Sequence, residues 1–173
     1  MSALEQMYQQ VILDHAKRPV GRGPAIIAEP PAGALVGESH QVNPTCGDEV
    51  TLRILVTEPV EATTVAEVLS SVTWEGQGCS ISQASTSVMT QLVSGEPVTE
   101  ALHLADLFSE LMASRGKGLA SEDDEDALGD ATAFTGTSKY PARIKCALLG
   151  WVALRDALAR SGALPHRVVE QGT

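Results

Sequence analysis

The stretch VLSSVTWEGQGCSISQASTSVMTQLVSGEP, residues 68–97, contains the change of period that decides the fold. Val68 to Glu75 reads as a strand, with β-branched and aromatic residues in an extended run. Beyond Gly76-Gln77-Gly78-Cys79 the apolar residues Ile81, Ala84, Val88 and Leu92 recur on one helical face, and Gly95 followed by Pro97 supplies the stop. A strand therefore turns through a glycine-rich corner into a helix. Cys79 falls at the helix N-terminus, where the macrodipole favours a thiolate.

Working back toward the N-terminus, Val50, Leu52, Ile54 and Val56 alternate against Thr51, Arg53 and Leu55, the period of a half-buried strand. Glu58-Pro59 marks the turn region after it. Val20 to Ser39 is rich in Gly, Pro and Ala and reads as a connecting arm that covers a surface, with one short strand near Ala34 to Val36. Ser2 and Glu5 form a capping box for a first helix that carries Leu4, Met7, Tyr8, Val11 and Ile12 and ends near Ala16, before Arg18-Pro19.

On the C-terminal side, Thr99 with Leu102, Leu107, Phe108, Leu111 and Met112 predicts a helix ending near Arg115-Gly116. Ser121 to Asp130 is an acidic stretch with little to bury; a solvated loop is the plainer reading, docking to a basic surface the functional one. Pro141 suits the first position of a last helix with Ile144, Leu148, Trp151, Val152, Ala153 and Leu158. Strands early and helices late, without repeated strand-helix units, predict an α+β domain: a small, mostly antiparallel sheet packed against helices. One domain spans 1–162, and 163–173 reads as a flexible tail.

Bulk composition bounds the function. At 173 residues the chain can bury a core without disulfide staples, and with only 3% aromatic residues that core should be aliphatic. A net charge of −10 repels nucleic acid and anionic membrane surfaces but suits a basic protein partner. Three cysteines cannot all pair, Glu5 and Asp14 interrupt any signal-peptide core, and no apolar run spans a membrane, so a reducing cytoplasm is expected.

The cysteines are Cys46 in Asn43-Pro44-Thr45-Cys46-Gly47-Asp48, Cys79, and Cys146 in Arg143-Ile144-Lys145-Cys146. With Asp48 they make a complete ligand set for one tetrahedral zinc, and the carboxylate among thiolates hints at an exchangeable position. Free cysteines acting as small buried hydrophobes remain the alternative at this level. Gly47 allows a tight bend around an ion. His15, His40, His103 and His166 show no ligand spacing; Gly21-Arg22-Gly23-Pro24 lacks the strand and Lys-Ser/Thr of a phosphate loop; HExxH and Gly-x-Ser-x-Gly are absent.

These motifs resemble those of the IscU-like family of iron-sulfur assembly proteins, and more closely its SufU branch. The matching runs are Met7-Tyr8, Ile12-Leu13-Asp14-His15, Asn43 to Asp48, Gly76 to Ser82, Ala84-Ser85-Thr86-Ser87 and Arg143 to Cys146. The resemblance implies an α+β fold with Cys46, Asp48, Cys79 and Cys146 around one zinc per chain. It further implies a zinc-dependent sulfur acceptor that takes persulfide sulfur on Cys46 from a cysteine desulfurase of SufS type, for downstream Suf scaffold proteins. The alternative within the family is a scaffold on which an iron-sulfur cluster forms on Cys46, Cys79 and Cys146. Lys145 stands where scaffold members carry a His, Tyr140-Pro141-Ala142-Arg143-Ile144 replaces their Leu-Pro-Pro-Val-Lys, and the stretch from Gly95 to Cys146 is longer. These departures match the SufU type. Arg143, three residues before Cys146, is a candidate to stabilise thiolate or persulfide charge, and otherwise a solvated helix-start arginine. Lys145 is read chiefly as solvent-facing.

Overall fold

A computed structural model of the protein describes residues 1–23, 29–58 and 67–163. Pro24, Pro59, His166 and the tail beyond Ala163 lie outside the described residues. In chain order the elements are α1 (Ala3–Lys17), β1 (Leu35–Asn43), β2 (Asp48–Thr57), β3 (Val68–Gln77), α2 (Ser80–Val93), α3 (Val98–Ala113), α4 (Glu122–Leu128) and α5 (Pro141–Ser161), with two 3-10 turns, Gly129–Phe134 and Gly136–Lys139, before α5. The sheet is antiparallel in the order β1-β2-β3. Helices α5 and α2 pack on its inner face, and α1 lies outside α2. This is the expected α+β architecture.

The strictest pattern belongs to β2, in which Val50, Leu52, Ile54 and Val56 are buried and the residues between them are half-exposed. Asp48 has the same parity and is buried at the end of that row, because alternate side chains of a strand share a face. The arm is not a free cover: Gly21 and Gly23 exchange backbone hydrogen bonds with Trp74 at the edge of β3, and the Trp74 indole N–H donates to the Val20 carbonyl at 2.9 Å.

Strand β1 is much longer than the short one expected near Ala34 to Val36. Its inward residues include Gly37, Ser39 and Asn43, whereas Val36 and Val42 face outward, so apolar periodicity could not reveal it. Small inward residues let α5 lie close: a Cβ on Gly37 would overlap the Ala157 carbonyl. The Ser39 hydroxyl donates to Asp156 of α5 at 2.6 Å, and Arg160 one turn on donates to the same carboxylate oxygen at 2.8 Å.

Other boundaries differ for physical reasons. Helix α3 starts at Val98 with Pro97 as its cap, so Thr99 lies inside it rather than capping it. The acidic stretch is a helix, α4: the Ser121 side chain accepts from the Asp124 N–H, four acidic residues occupy the first turn near the positive end of the dipole, and Leu128 is fully buried. Sparse aromatics proved a poor guide to where they sit. Both Phe and both Trp are buried, and Phe108 of α3 stacks on Trp151 of α5 at 4.7 Å between centroids, with Phe134 edge-on at 5.9 Å.

Helix α1 has no buried residue, and a clasp near its C-terminus helps hold it. His15 Nδ1 lies 2.8 Å from the Ser87 Oγ of α2 and Nε2 3.4 Å from Asp130. The Asp130 carboxylate can only accept, which places the imidazole proton on Nε2 and leaves Nδ1 to accept the Ser87 hydroxyl, whose oxygen also accepts the Val20 N–H at 2.7 Å. Serine, histidine and carboxylate here form no nucleophilic triad, since Ser87 is fully buried. His15→Ala is expected to cost about 1 to 3 kcal/mol by freeing α1 and orphaning the buried hydroxyl, read as a lower denaturation midpoint in urea.

Candidate metal centre

The site forms where the inner row of β2, the β1–β2 turn, the N-terminus of α2 and the second turn of α5 converge. Asn43 and Asp48 are paired across the base of the β1–β2 hairpin. Between them the Asn43 carbonyl accepts the Gly47 N–H at 2.8 Å and its side-chain oxygen accepts the Thr45 N–H at 3.2 Å. Gly47 has φ +74°, a conformation that suits glycine, which confirms the tight bend. This turn holds Cys46 at the surface.

Cys79 is the N-cap residue of α2, as its position after the glycine corner predicted. Its N–H donates to Asp48 Oδ1 at 2.9 Å and its thiol to Oδ2 at 3.6 Å. Cys146 is buried on α5, 6% exposed, with its thiol directed at the Ala142 carbonyl at 3.5 Å. Its sulfur lies 3.5 Å from that of Cys46 and takes a long contact from the Asn43 amide N–H at 3.8 Å.

Ligand atoms of Cys46, Asp48 and Cys146 lie within 4.8 Å of one another, and Cys79 joins them through Asp48. A tetrahedral zinc with its usual bond lengths separates two thiolate sulfurs by about 3.8 Å and a sulfur and a carboxylate oxygen by about 3.5 Å. Two edges, 3.5 Å between the Cys46 and Cys146 sulfurs and 3.6 Å from Cys79 to Asp48, are close to those of that polyhedron, while the Cys79 sulfur stands outside the 4.8 Å group of the other three and would have to move in to complete it. A soft, thiolate-rich set of this kind suits zinc or an iron-sulfur centre and not magnesium or calcium.

Protonation follows from the packing. Burial pushes the Asp48 carboxyl up, but hydrogen bonds from the Cys46 and Cys146 thiols and from the Cys79 backbone outweigh it, so the carboxyl sits below its ordinary range. Burial first, then Asp48 and Cys46, push the Cys146 thiol well up. A divalent cation reverses that balance by stabilising the thiolate directly.

Arg143 is exposed, and its guanidinium lies 4.7 Å from the centre of the Tyr140 ring. Lys145 is exposed as well, in line with its solvent-facing reading. His40 bonds Thr51 at 2.7 Å and His103 is exposed on α3, so neither enters the metal group. Two positioning residues went unassigned in the sequence although they stand inside the matched motifs. Asn43 anchors the Cys46 turn and touches Cys146, and Gly78 makes room for Asp48, since a Cβ there would lie 2.5 Å from Asp48 Oδ1. Both depend on partners distant in sequence.

An α+β domain presenting three cysteines and an aspartate at one converging corner defines a thiolate-carboxylate metal-site protein. The chain matches the family described as NifU-like N terminal domain over residues 7–147, and it belongs to that family. It is 38% identical over 160 residues to the zinc-dependent sulfurtransferase SufU of Bacillus subtilis (strain 168), covering 91% of this chain and 92% of that one. It is 37% identical over 168 residues to the iron-sulfur cluster assembly scaffold protein IscU of Streptococcus pyogenes serotype M1, covering 96% and 91%. Among solved structures, a putative iron-sulfur cluster assembly scaffold protein for the SUF system from Fervidobacterium islandicum AW-1 superposes with a TM-score of 0.62 at 30% identity, over 89% of this chain and 98% of that one.

Proposed function

We propose that this protein is a zinc-dependent sulfur acceptor, which takes persulfide sulfur on Cys46 from a cysteine desulfurase of SufS type and passes it to Suf scaffold proteins for iron-sulfur cluster assembly. One observation carries the reading: Cys46, exposed in a surface turn, has its sulfur 3.5 Å from that of the buried Cys146. Similarity to the zinc-dependent SufU relative supports it.

Zinc bound by Cys46, Asp48, Cys79 and Cys146 would keep the thiolates deprotonated without taking part in electron transfer. Cys46 would be the thiolate that meets a donor arriving from solvent: it stands in an exposed turn, Cys146 is buried, and Cys79, although exposed, has its thiol engaged with Asp48. The Cys46 thiolate attacks the outer sulfur of the donor persulfide. A sulfur-sulfur bond forms at Cys46, the donor's sulfur-sulfur bond breaks, and the donor cysteine leaves as thiolate. Asp48, Cys79 and Cys146 would hold the metal meanwhile, and Arg143, exposed at the start of α5, is the candidate charge to favour an anionic persulfide. Free thiols at this centre call for a reducing compartment, the cytoplasm.

The similarity to an IscU scaffold favours a second reading, cluster assembly on Cys46, Cys79 and Cys146. Purified protein separates the two. A colourless chain with about one zinc that accelerates a SufS-type desulfurase and gains sulfur on Cys46 supports the relay. A brown, reconstitutable cluster that transfers intact to an apo-protein, without effect on the desulfurase, overturns it.

A further inference from the structure

Cys46 and Cys146 form a pair with chemistry of its own. Their sulfurs are 3.5 Å apart, at contact distance, whereas the Cys79 sulfur is engaged with Asp48 Oδ2 at 3.6 Å and lies outside the group of atoms within 4.8 Å of one another. Exposure separates the partners: Cys46 faces solvent, and Cys146 is 6% exposed beneath it. A sulfur atom carried on Cys46 therefore projects outward, with the Cys146 sulfur on the inner side of Cys46 Sγ. Displacement at a sulfur-sulfur bond needs this order, attacker and leaving group on opposite sides of the central sulfur.

We infer that Cys146 is a resolving thiol, which attacks the inner sulfur of a Cys46 persulfide in the metal-depleted chain, closes a Cys46–Cys146 disulfide and expels hydrosulfide. The inference rests on the reading of Cys46 as sulfur acceptor. One sulfur-sulfur bond breaks, between Cys46 Sγ and the outer sulfur, and one forms, between the two Sγ atoms. The two electrons that reduce the outer sulfur to sulfide come from the cysteine pair, and the Cys146 proton leaves on the hydrosulfide. No external reductant enters. Closure to a bond of about 2.05 Å asks most of Cys46, which stands in a turn, and little of Cys146, fixed in a helix.

A metal that holds both sulfurs blocks this closure, so metal occupancy selects the form in which sulfur leaves. The loaded chain keeps sulfur in the transferable, zero-valent state. The depleted chain discharges it as sulfide, for a reaction that consumes sulfide, and is left oxidised until a thiol reductant restores it.

Chemical loading tests the step without the desulfurase. Chelator-treated protein is exposed anaerobically to inorganic tetrasulfide, freed of excess by gel filtration, and followed by hydrosulfide assay and intact mass. The wild-type chain is expected to release about one hydrosulfide, to finish two hydrogens lighter than its reduced form, and to map as a Cys46–Cys146 disulfide. Cys146→Ser should hold the added sulfur on Cys46 and slow release by more than about tenfold. Sulfur that stays on wild-type Cys46, or a disulfide mapped to Cys79, overturns the inference. The wild-type map stands even if the variant folds poorly. Failure of the acceptor reading appears elsewhere, as absence of sulfur uptake by the zinc-loaded chain from the desulfurase.

Discussion

Cys46→Ala is expected to reduce sulfur transfer to the level of the desulfurase alone while leaving the fold intact. The residue is exposed, and the turn that carries it is tied by Asn43, through the Thr45 and Gly47 amides, rather than by the thiol. Truncation of such a side chain costs within about 0.5 kcal/mol of stability in the metal-free protein. Chemically the loss should be complete: Cys146 is buried, and Cys79, although exposed, has its sulfur engaged with Asp48. Cys46→Ser should fail equally, because an alcohol is no nucleophile toward a sulfur-sulfur bond at neutral pH, although it keeps the size of the thiol. Cysteine turnover by the desulfurase, chain mass after reaction and a thermal melt together decide the matter. Full stimulation by Cys46→Ala would remove Cys46 from the mechanism.

Cys146→Ala should behave differently. It empties a buried position on α5 and removes a sulfur that touches Cys46, so metal retention and folding stability fall together with activity. The contrast separates a reactive ligand from a holding one, and metal content measured on both variants reads it.

How much of this was legible in the sequence depended on whether the signal was local. The helix after Cys79, the capping box at Ser2 and Glu5, the β2 alternation and Pro141 at the start of α5 are each read from a few neighbouring residues, and each stands in the structure. β1 was mostly illegible, because the face it buries is small and polar and its selection comes from α5 crossing it. α4 escaped notice because its pattern carries charge rather than apolar period, yet a serine cap and one buried leucine suffice to anchor it. At the site, the identity of the four candidate ligands was readable as a set of residue types. Their partners were not: the amide of Asn43 meets a sulfur 103 positions away, and the Asp48 carboxylate is oriented by the amide of Cys79, 31 positions on.

Gly78→Ala probes that orientation and should have a large effect on metal binding. A Cβ at this position would lie 2.5 Å from Asp48 Oδ1, 2.8 Å from its Cγ and 2.6 Å from Ser82 Oγ. Real Cβ contacts do not come that close, so something must move, and the choice is limited. The Ser82 hydroxyl, which donates to the Cys79 carbonyl at 3.1 Å, and the equally buried Asp48 both lie within the overlap, so both must give, the carboxylate included. Shifting it breaks the Cys79 N–H bond to Oδ1 and turns the candidate oxygen ligand away from the sulfurs. Loss of an orienting contact of this kind lowers metal affinity by about 10- to 100-fold, and the overpacking costs about 1 to 3 kcal/mol of stability. Gly136→Ala is the control, since its Cβ would meet nothing within 4 Å. Zinc competition against a chelator is expected to show the loss for Gly78→Ala alone. Equal affinities for the two variants would mean that Asp48 does not hold the metal.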